Sequence, residues 1–170
     1  MSETNPAAPA APQATVVVDR TYRATAQELW ALWTTKDGFE SWWGPEGFRV
    51  AVHRLEARTG GALDYDMIAD APEAIAAMKN MGQPISHGTH GTYAEFQPHE
   101  RLALVHLIDF VPNSEPYESK IEVDFSAAGD EARMMVTIHP HLDPMWTRMS
   151  VQGFTSQLTK LDSRFGWSGA

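Results

Sequence analysis

The sequence contains no cysteine. This absence excludes disulfide bonds, thiolate metal sites and a thiol nucleophile. No run of about 18 apolar residues occurs either, so a transmembrane helix is not predicted. Basic residues are scarce and unclustered, with 13 Lys and Arg against 22 Asp and Glu and a formal net charge of −9. Because this balance repels phosphate groups, neither a nucleic acid nor a membrane surface is expected as a partner.

The length of 170 residues fits one domain, since domains commonly contain roughly 100–200 residues. Residues 1–14 are mostly Ala and Pro and lack the basic and apolar regions of a signal peptide, which predicts a disordered tail. A second short tail is expected at residues 167–170, and a single domain over residues 15–166. We expect the protein to be soluble and cytoplasmic.

Local signals predict one strand, two helices and then an antiparallel meander. A β-branched run predicts the first strand over residues 15–22. Thr25 opens a capping box that begins a helix, and Asp37 is expected to cap a second short helix that ends before Gly44-Pro45. Segments of strand length between turn residues predict the remaining strands. They are residues 48–55, 62–68, 91–96, 102–110, 119–125 and 133–139.

The C-terminal part predicts a long amphipathic helix. From Pro144, a favourable first helical residue, apolar side chains recur at three- and four-residue steps as far as Phe165. A curved antiparallel sheet with this helix lying on it is the simplest arrangement that buries both apolar faces. The predicted fold class is therefore α+β. The segment 102–110 is apolar on both faces for most of its length, so its inward face is left open.

Two adjacent tryptophans, Trp42 and Trp43, are followed at once by Gly44-Pro45. They cannot both lie on one face of a regular element, so at least one of them should line a cavity or cover a neighbouring surface. This pattern predicts a cavity that binds a small molecule.

Four motifs carry a resemblance to a known family. They are Tyr22-Arg-Ala-Thr-Ala-Gln-Glu-Leu-Trp30, Trp42-Trp43-Gly44-Pro45, Glu100-Arg101-Leu102 and the closing Gly153-Phe154 with Leu158 and Leu161. Over residues 16–165 the chain resembles the heat-shock-protein ATPase activator homologues of the START-like or SRPBCC superfamily. The resemblance implies a helix-grip fold, in which about seven strands wrap around the terminal helix and enclose a hydrophobic cavity. Members of that superfamily bind lipids, polyketides or other apolar ligands, a few are cyclases or hydrolases, and the name-giving eukaryotic members contact a chaperone.

The chain departs from this family at residues 70–90, where a simple hairpin would be expected. Residues 71–82 instead predict an inserted helix, with Pro72 near its start and Gly82 at its end. Its apolar stripe includes Met78 and Met81. We expect a lid over the cavity mouth, and a dimer surface or additional core are the alternatives.

The candidate ligand-binding residues combine aromatic and methionine side chains, which suit an apolar wall, with polar side chains that would orient a ligand. Gly153 is expected to leave space in the cavity because it has no side chain. No catalytic residue is assigned. The candidates are Trp42, Trp43, Tyr65, Met67, Met78, Met81, His90, Tyr93, His106, Trp146, Met149 and Phe154.

His106 stands in the middle of an apolar strand, where a polar group must face water or be hydrogen-bonded. A neighbour in the sheet is expected to satisfy it. If it faces inward, it would donate to a ligand carbonyl or act as a general base with Asp109 or Glu95.

The remaining histidines do not predict a metal site. The pairs His87/His90 and His139/His141 lack a third and fourth ligand on a fixed frame, and no carboxylate-containing metal motif accompanies them. We expect neither a metal nor another cofactor.

The leading functional hypothesis is the binding of a small hydrophobic or aromatic ligand between the sheet and the terminal helix. The first alternative is a cyclase, dehydratase or hydrolase that uses His106, His90 or Tyr93 for proton transfer. The second is a chaperone-associated protein, which would need an exposed apolar patch. A homodimer through the inserted helix or a sheet edge is a further expectation.

Overall fold

The structure is a computed structural model that describes residues 15–109, 115–141 and 143–166. The expected tails at residues 1–14 and 167–170 lie outside the described residues. The described ranges contain seven strands and four helices. In chain order they are β1 (Val16–Tyr22), α1 (Ala26–Thr34), α2 (Lys36–Glu40), β2 (Phe48–Leu55), β3 (Ala62–Ala69), α3 (Pro72–Asn80), β4 (Ser86–Gln97), β5 (Arg101–Ile108), β6 (Tyr117–Ala128), β7 (Glu131–Ile138) and α4 (Pro144–Phe165).

The strands form one antiparallel sheet in the order β1-β7-β6-β5-β4-β3-β2. β1 and β2 therefore occupy opposite edges, and α1 and α2 carry the chain from one edge to the other. The rest is a meander of consecutive antiparallel neighbours. The curved sheet and the long C-terminal helix confirm the predicted α+β helix-grip fold.

The register aligns the side chains that face α4. Gly91 on β4 pairs with His106 on β5, and His106 pairs with Ser119 on β6. Because side chains alternate along a strand, Leu102 and Leu104 share the face of His106. All three are buried, which establishes the inward face of β5 that the sequence left open.

Capping hydrogen bonds set the starts of α1 and α2. The predicted capping box is confirmed, since the Glu28 N–H donates to Thr25 Oγ1 at 3.0 Å and the Thr25 N–H donates to Glu28 Oε1 at 2.9 Å. For α2 the cap is Thr35, whose hydroxyl accepts from the Gly38 N–H at 3.0 Å. The prediction of Asp37 was wrong because α2 begins at Lys36, which places Asp37 inside the first turn and Thr35 at the cap.

An aromatic cluster joins α1 to the segment that follows α2. The ring of Trp33 lies 5.1 Å from that of Trp42 and 5.3 Å from that of Trp43, both in edge-on geometry. The Trp42 indole N–H donates to the Leu32 carbonyl at 2.9 Å. Trp42 is consequently a core residue whose polar group is satisfied by the backbone of α1.

α4 packs on the sheet through Phe154, Leu158 and Leu161, all of which are buried. Its end is attached to edge strand β1, because the Tyr22 hydroxyl donates to Asp162 Oδ1 at 2.6 Å. Its start is capped by Asp143, whose carboxylate accepts from the Met145 N–H at 2.7 Å.

α3 confirms the predicted inserted helix, and it packs beside the turn that precedes β2. The N–H groups of Asp70 and Ala71 donate to the Gly47 carbonyl at 2.8 and 3.0 Å. None of the α3 residues is fully buried. Among the helices of the described ranges, none combines the length and apolarity needed to cross a membrane.

Candidate ligand-binding cavity

A cavity of about 300 Å³ lies between α4 and strands β3 to β6. Met149 lines it and is 50% exposed, so the cavity opens to solvent at this end. At the other end its wall contains Trp43 and Phe154, which are buried. The structure brings the following predicted residues together in the wall: Trp43, Tyr65, Met67, His106, Trp146, Met149 and Phe154.

Two aromatic candidates lie outside this wall. Trp42 is fully buried beside α1, and the Tyr93 hydroxyl donates to the Trp33 carbonyl at 2.6 Å. Both side chains therefore belong to the packed core beside the cavity. The sequence did not distinguish them from wall residues because a buried ring and a cavity ring follow the same pattern.

The other candidates outside the wall are His90, Met78 and Met81. His90 points to the outer face of the sheet, where its Nδ1 lies 3.0 Å from Asp64 Oδ1. Met78 belongs to α3, and Met81 follows it and is 64% exposed. No α3 residue lines the cavity in the described structure, since this helix packs near Gly47 instead. The expected lid does not cover the mouth here.

Sequence reasoning missed several polar residues of the wall. β4 begins at Ser86, five residues before the predicted start, so His87 and Thr89 continue the inward face of Gly91. The period of two from His87 to Tyr93 was the signal that would have found them. Gln157 was also missed, although it stands one helical turn after Gly153 on the same face.

A hydrogen-bonded chain crosses the closed end of the cavity. The Trp43 indole N–H donates to the Tyr65 hydroxyl at 3.0 Å, and this hydroxyl lies 2.9 Å from His106 Nε2. Tyr65 is on β3 and His106 is on β5, so the contact passes over β4. On β4, Thr89 pairs with Tyr65. Gly91 pairs with His106, so the contact runs diagonally across this strand.

Burial keeps the hydrogen-bonded side chains of Tyr65 and His106 uncharged. It lowers the pKa of His106 to about 4, and the nearby His141 adds to the effect. Burial also raises the pKa of Tyr65 above its ordinary value. At neutral pH both groups are therefore neutral, and His106 is a weak base whose Nε2 is occupied by Tyr65. Asp109 and Glu95 are not its hydrogen-bond partners in the described residues.

The other two histidines of the wall are neutral for the same reason. Burial lowers the pKa of His87 and of His141. His141 Nδ1 lies 2.6 Å from the Tyr117 hydroxyl, which holds the ring in place. No Asp, Glu, Lys or Arg of the described ranges lines the cavity. The wall is thus polar at a few points and carries no charge at pH 7.

The histidine pairs do not form a metal centre. His87 lines the cavity whereas His90 lies on the opposite face of β4. His139 Nε2 lies 2.9 Å from Glu122 Oε2, outside the cavity wall. Within the described parts of the chain, no three His, Asp or Glu side chains converge as ligands.

Hydrogen bonds join the turn after Trp43 to α4. Gly44 has φ +101°, a conformation that favours glycine, and its N–H donates to Gln157 Oε1 at 2.9 Å. The Lys160 ammonium donates to the Gly44 carbonyl at 2.8 Å. These contacts fix the closed end of the cavity against the helix.

Comparison with known proteins places this chain in a family. A sequence model of the family described as Activator of Hsp90 ATPase homolog 1-like protein matches residues 23–166. No curated protein matches the chain.

Several solved structures share the fold. A protein from Chromobacterium violaceum has 20% sequence identity and a TM-score of 0.71, with 89% of this chain and 96% of that one covered. The AHSA1 protein from Silicibacter pomeroyi has 19% identity and a TM-score of 0.69, covering 89% and 96%. A protein from Arthrobacter aurescens has 17% identity and a TM-score of 0.69, covering 88% and 84%. At these identities the likeness shows the fold alone.

Proposed function

This chain belongs to the Activator of Hsp90 ATPase homolog 1-like family, and from that premise we propose that it binds a small hydrophobic or aromatic molecule in the cavity under α4. The observation that carries the proposal is a cavity of about 300 Å³ with an aromatic and methionine wall that contains no charged side chain among the described residues. Small-molecule sites are commonly hollows of roughly 300–1,000 Å³ with mostly apolar walls and a few polar groups.

The pKa shifts favour binding over proton-transfer catalysis. A general acid or base at neutral pH works best with a pKa near 7. In this cavity burial moves the pKa of His106 down to about 4 and that of Tyr65 upwards, away from this range. The Trp43–Tyr65–His106 chain therefore serves to hold the wall in one conformation.

The cavity can be filled through Gly153. A Cβ atom added to this residue meets no heavy atom within 4 Å, and Gly153 lines the cavity. A Gly153→Leu variant should therefore fold and occupy the ligand's space. We expect it to bind 2-isopropenylnaphthalene, an uncharged two-ring probe, at least about tenfold more weakly than the native protein in titration calorimetry.

The matched control is Gln152→Leu, which adds the same side chain at an exposed position of the same helix. It should bind the probe with native affinity. Equal affinity of the native and Gly153→Leu proteins would show that the probe binds elsewhere and would contradict the proposal. A role in chaperone contact would use the outer surface, so filling the cavity would leave that contact unchanged.

A Gly153→Ala variant should be more stable than the native protein. Glycine within a helix costs roughly 0.5–1 kcal/mol relative to alanine, and the added methyl group meets open space here. Urea denaturation should show a free energy of unfolding larger by about that amount, with probe affinity close to native. A loss of stability would mean that the described space at Gly153 is occupied by the surrounding chain.

A further inference from the structure

The side chain of Gln157 is buried in the cavity wall, with its amide oxygen hydrogen-bonded and its amino group unpaired within the described structure. It is 3% exposed, and its Oε1 accepts from the Gly44 N–H at 2.9 Å. The acceptor has to face this N–H, so the orientation of the amide is fixed. Its amino group, Nε2, is shielded from solvent and has no hydrogen-bond partner in the described residues.

An unsatisfied buried donor is costly, at about 1–3 kcal/mol, and native proteins contain few of them. The Oε1 atom explains why a glutamine stands at position 157, because it holds the Gly44 turn. The free Nε2 is explained if an acceptor arrives from the cavity that Gln157 lines.

The position of Gln157 on α4 supports the interpretation that Nε2 donates to a molecule in the cavity. Gly153 and Gln157 are four residues apart, so they are neighbours on one face of the helix. The bare surface of Gly153 leaves open space beside the helix. A molecule lying along that surface has its end next to Gln157.

The chemistry of the wall narrows the class of acceptor. The described wall contains no Asp, Glu, Lys or Arg, and its histidines are neutral at pH 7. A carboxylate or phosphate ligand would therefore meet no charged side chain of the wall, which is unfavourable for a buried anion. The Lys160 ammonium lies outside the wall and already donates to the Gly44 carbonyl. A neutral carbonyl oxygen accepts a hydrogen bond without this cost.

We propose that the cavity takes an uncharged, largely apolar ligand with one carbonyl oxygen, and that Gln157 Nε2 donates to this oxygen. This inference rests on the proposed function, since it names the ligand class of the same cavity.

Two probes of matched shape test the proposal. 2-Acetylnaphthalene carries a C=O group where 2-isopropenylnaphthalene carries C=CH2. Calorimetry on the native protein and on Gln157→Met gives the ketone-to-hydrocarbon affinity ratio for each. We expect this ratio to be about tenfold larger in the native protein, as for one buried hydrogen bond. Taking the ratio cancels any general change in the cavity that the loss of the Gly44 contact causes.

The charged analogue 2-naphthoate completes the series. It should bind the native protein at least about tenfold more weakly than the ketone, because its charge is not compensated. Tighter binding of the naphthoate would overturn the neutral ligand class.

A second measurement uses the native protein and does not depend on how Gln157→Met folds. The side-chain amide signals of Gln157 in a ¹H–¹⁵N spectrum should lie further downfield in the ketone complex than in the hydrocarbon complex, because the two probes carry the same rings and differ in the acceptor. Equal positions of these signals in the two saturated complexes would overturn the role of Gln157.

The outcomes separate this inference from the proposed function. Equal affinity ratios in the two proteins, with binding still blocked by Gly153→Leu, would overturn the role of Gln157 and leave the cavity as the binding site. If neither probe binds the native protein, both proposals fail together.

Discussion

A Trp43→Ala variant should lose about 3–5 kcal/mol of unfolding free energy, the cost typical of truncating a large buried aromatic side chain. Trp43 lines the cavity, yet it is only 6% exposed and most of its ring is covered by protein. The loss should appear in urea denaturation as a lower midpoint with an unchanged slope.

The contacts of the Trp43 ring explain why the loss should be large. Its ring stacks on Phe39 at a centroid distance of 4.6 Å and meets Trp42 edge-on at 5.2 Å. Its N–H donates to the Tyr65 hydroxyl, so truncation also removes the first member of the chain that ends at His106. Packing is lost together with a buried hydrogen bond.

Trp42 provides the matched control, because it is the adjacent residue, is equally buried and lies outside the cavity wall. Trp42→Phe and Trp43→Phe should both destabilise the protein, by less than the alanine variants. The affinity for 2-isopropenylnaphthalene should fall for Trp43→Phe and stay near native for Trp42→Phe. A loss below about 1 kcal/mol in Trp43→Ala would mean that the ring borders open space and not packed core.

Short-range patterns were sufficient to predict the architecture. The capping box at Thr25, the alternation along the strands and the apolar repeat from Pro144 each specify one element through its own neighbours. The motifs with Trp42 and Trp43 and with Gly153 then indicated the family. These features need no knowledge of which distant residues meet.

The composition of the cavity wall depends on contacts that sequence patterns do not contain. Trp42 and Trp43 look alike in sequence, and only the path of the Gly44 turn directs Trp43 to the cavity. Tyr65 on β3 meets His106 on β5 across β4, a relation set by the register of three strands. The apolar stripe of α3 indicated that the helix packs against another part of the protein. Its attachment to Gly47 joins residues far apart in sequence, so the pattern did not predict it.

Acidification below about pH 6.5 should destabilise the protein, with about 3 kcal/mol lost through His106 alone by about pH 4. The ordinary pKa of a histidine is 6.5, and burial lowers that of His106 to about 4. Between these two values the unfolded chain binds a proton that the folded chain does not bind. The unfolded state is therefore favoured as the pH falls.

The sign and the pH window follow from this difference. The contribution of neutral His106 is fully present above pH 6.5 and is lost as the pH falls to about 4, at up to about 1.4 kcal/mol per pH unit. The lowered pKa values of His87 and His141 act in the same direction. The carboxylate Glu122 affects stability at lower pH. Hydrogen bonding to Arg101 lowers the pKa of Glu122 to about 2, so its contribution to stability is lost only below pH 4.5.

Urea denaturation between pH 7.5 and 5 measures the effect. The native protein should lose stability through this range. The His106→Gln variant should lose less, because the proton that His106 binds on unfolding no longer contributes. His90→Gln, at an exposed histidine of the outer face, should retain the native fall because the three cavity histidines remain. NMR titration provides the direct check, because the His106 ring signals should stay constant from pH 7 to 5. A His106 midpoint near 6.5 would show that water reaches the ring freely, which would contradict the buried chain with Tyr65.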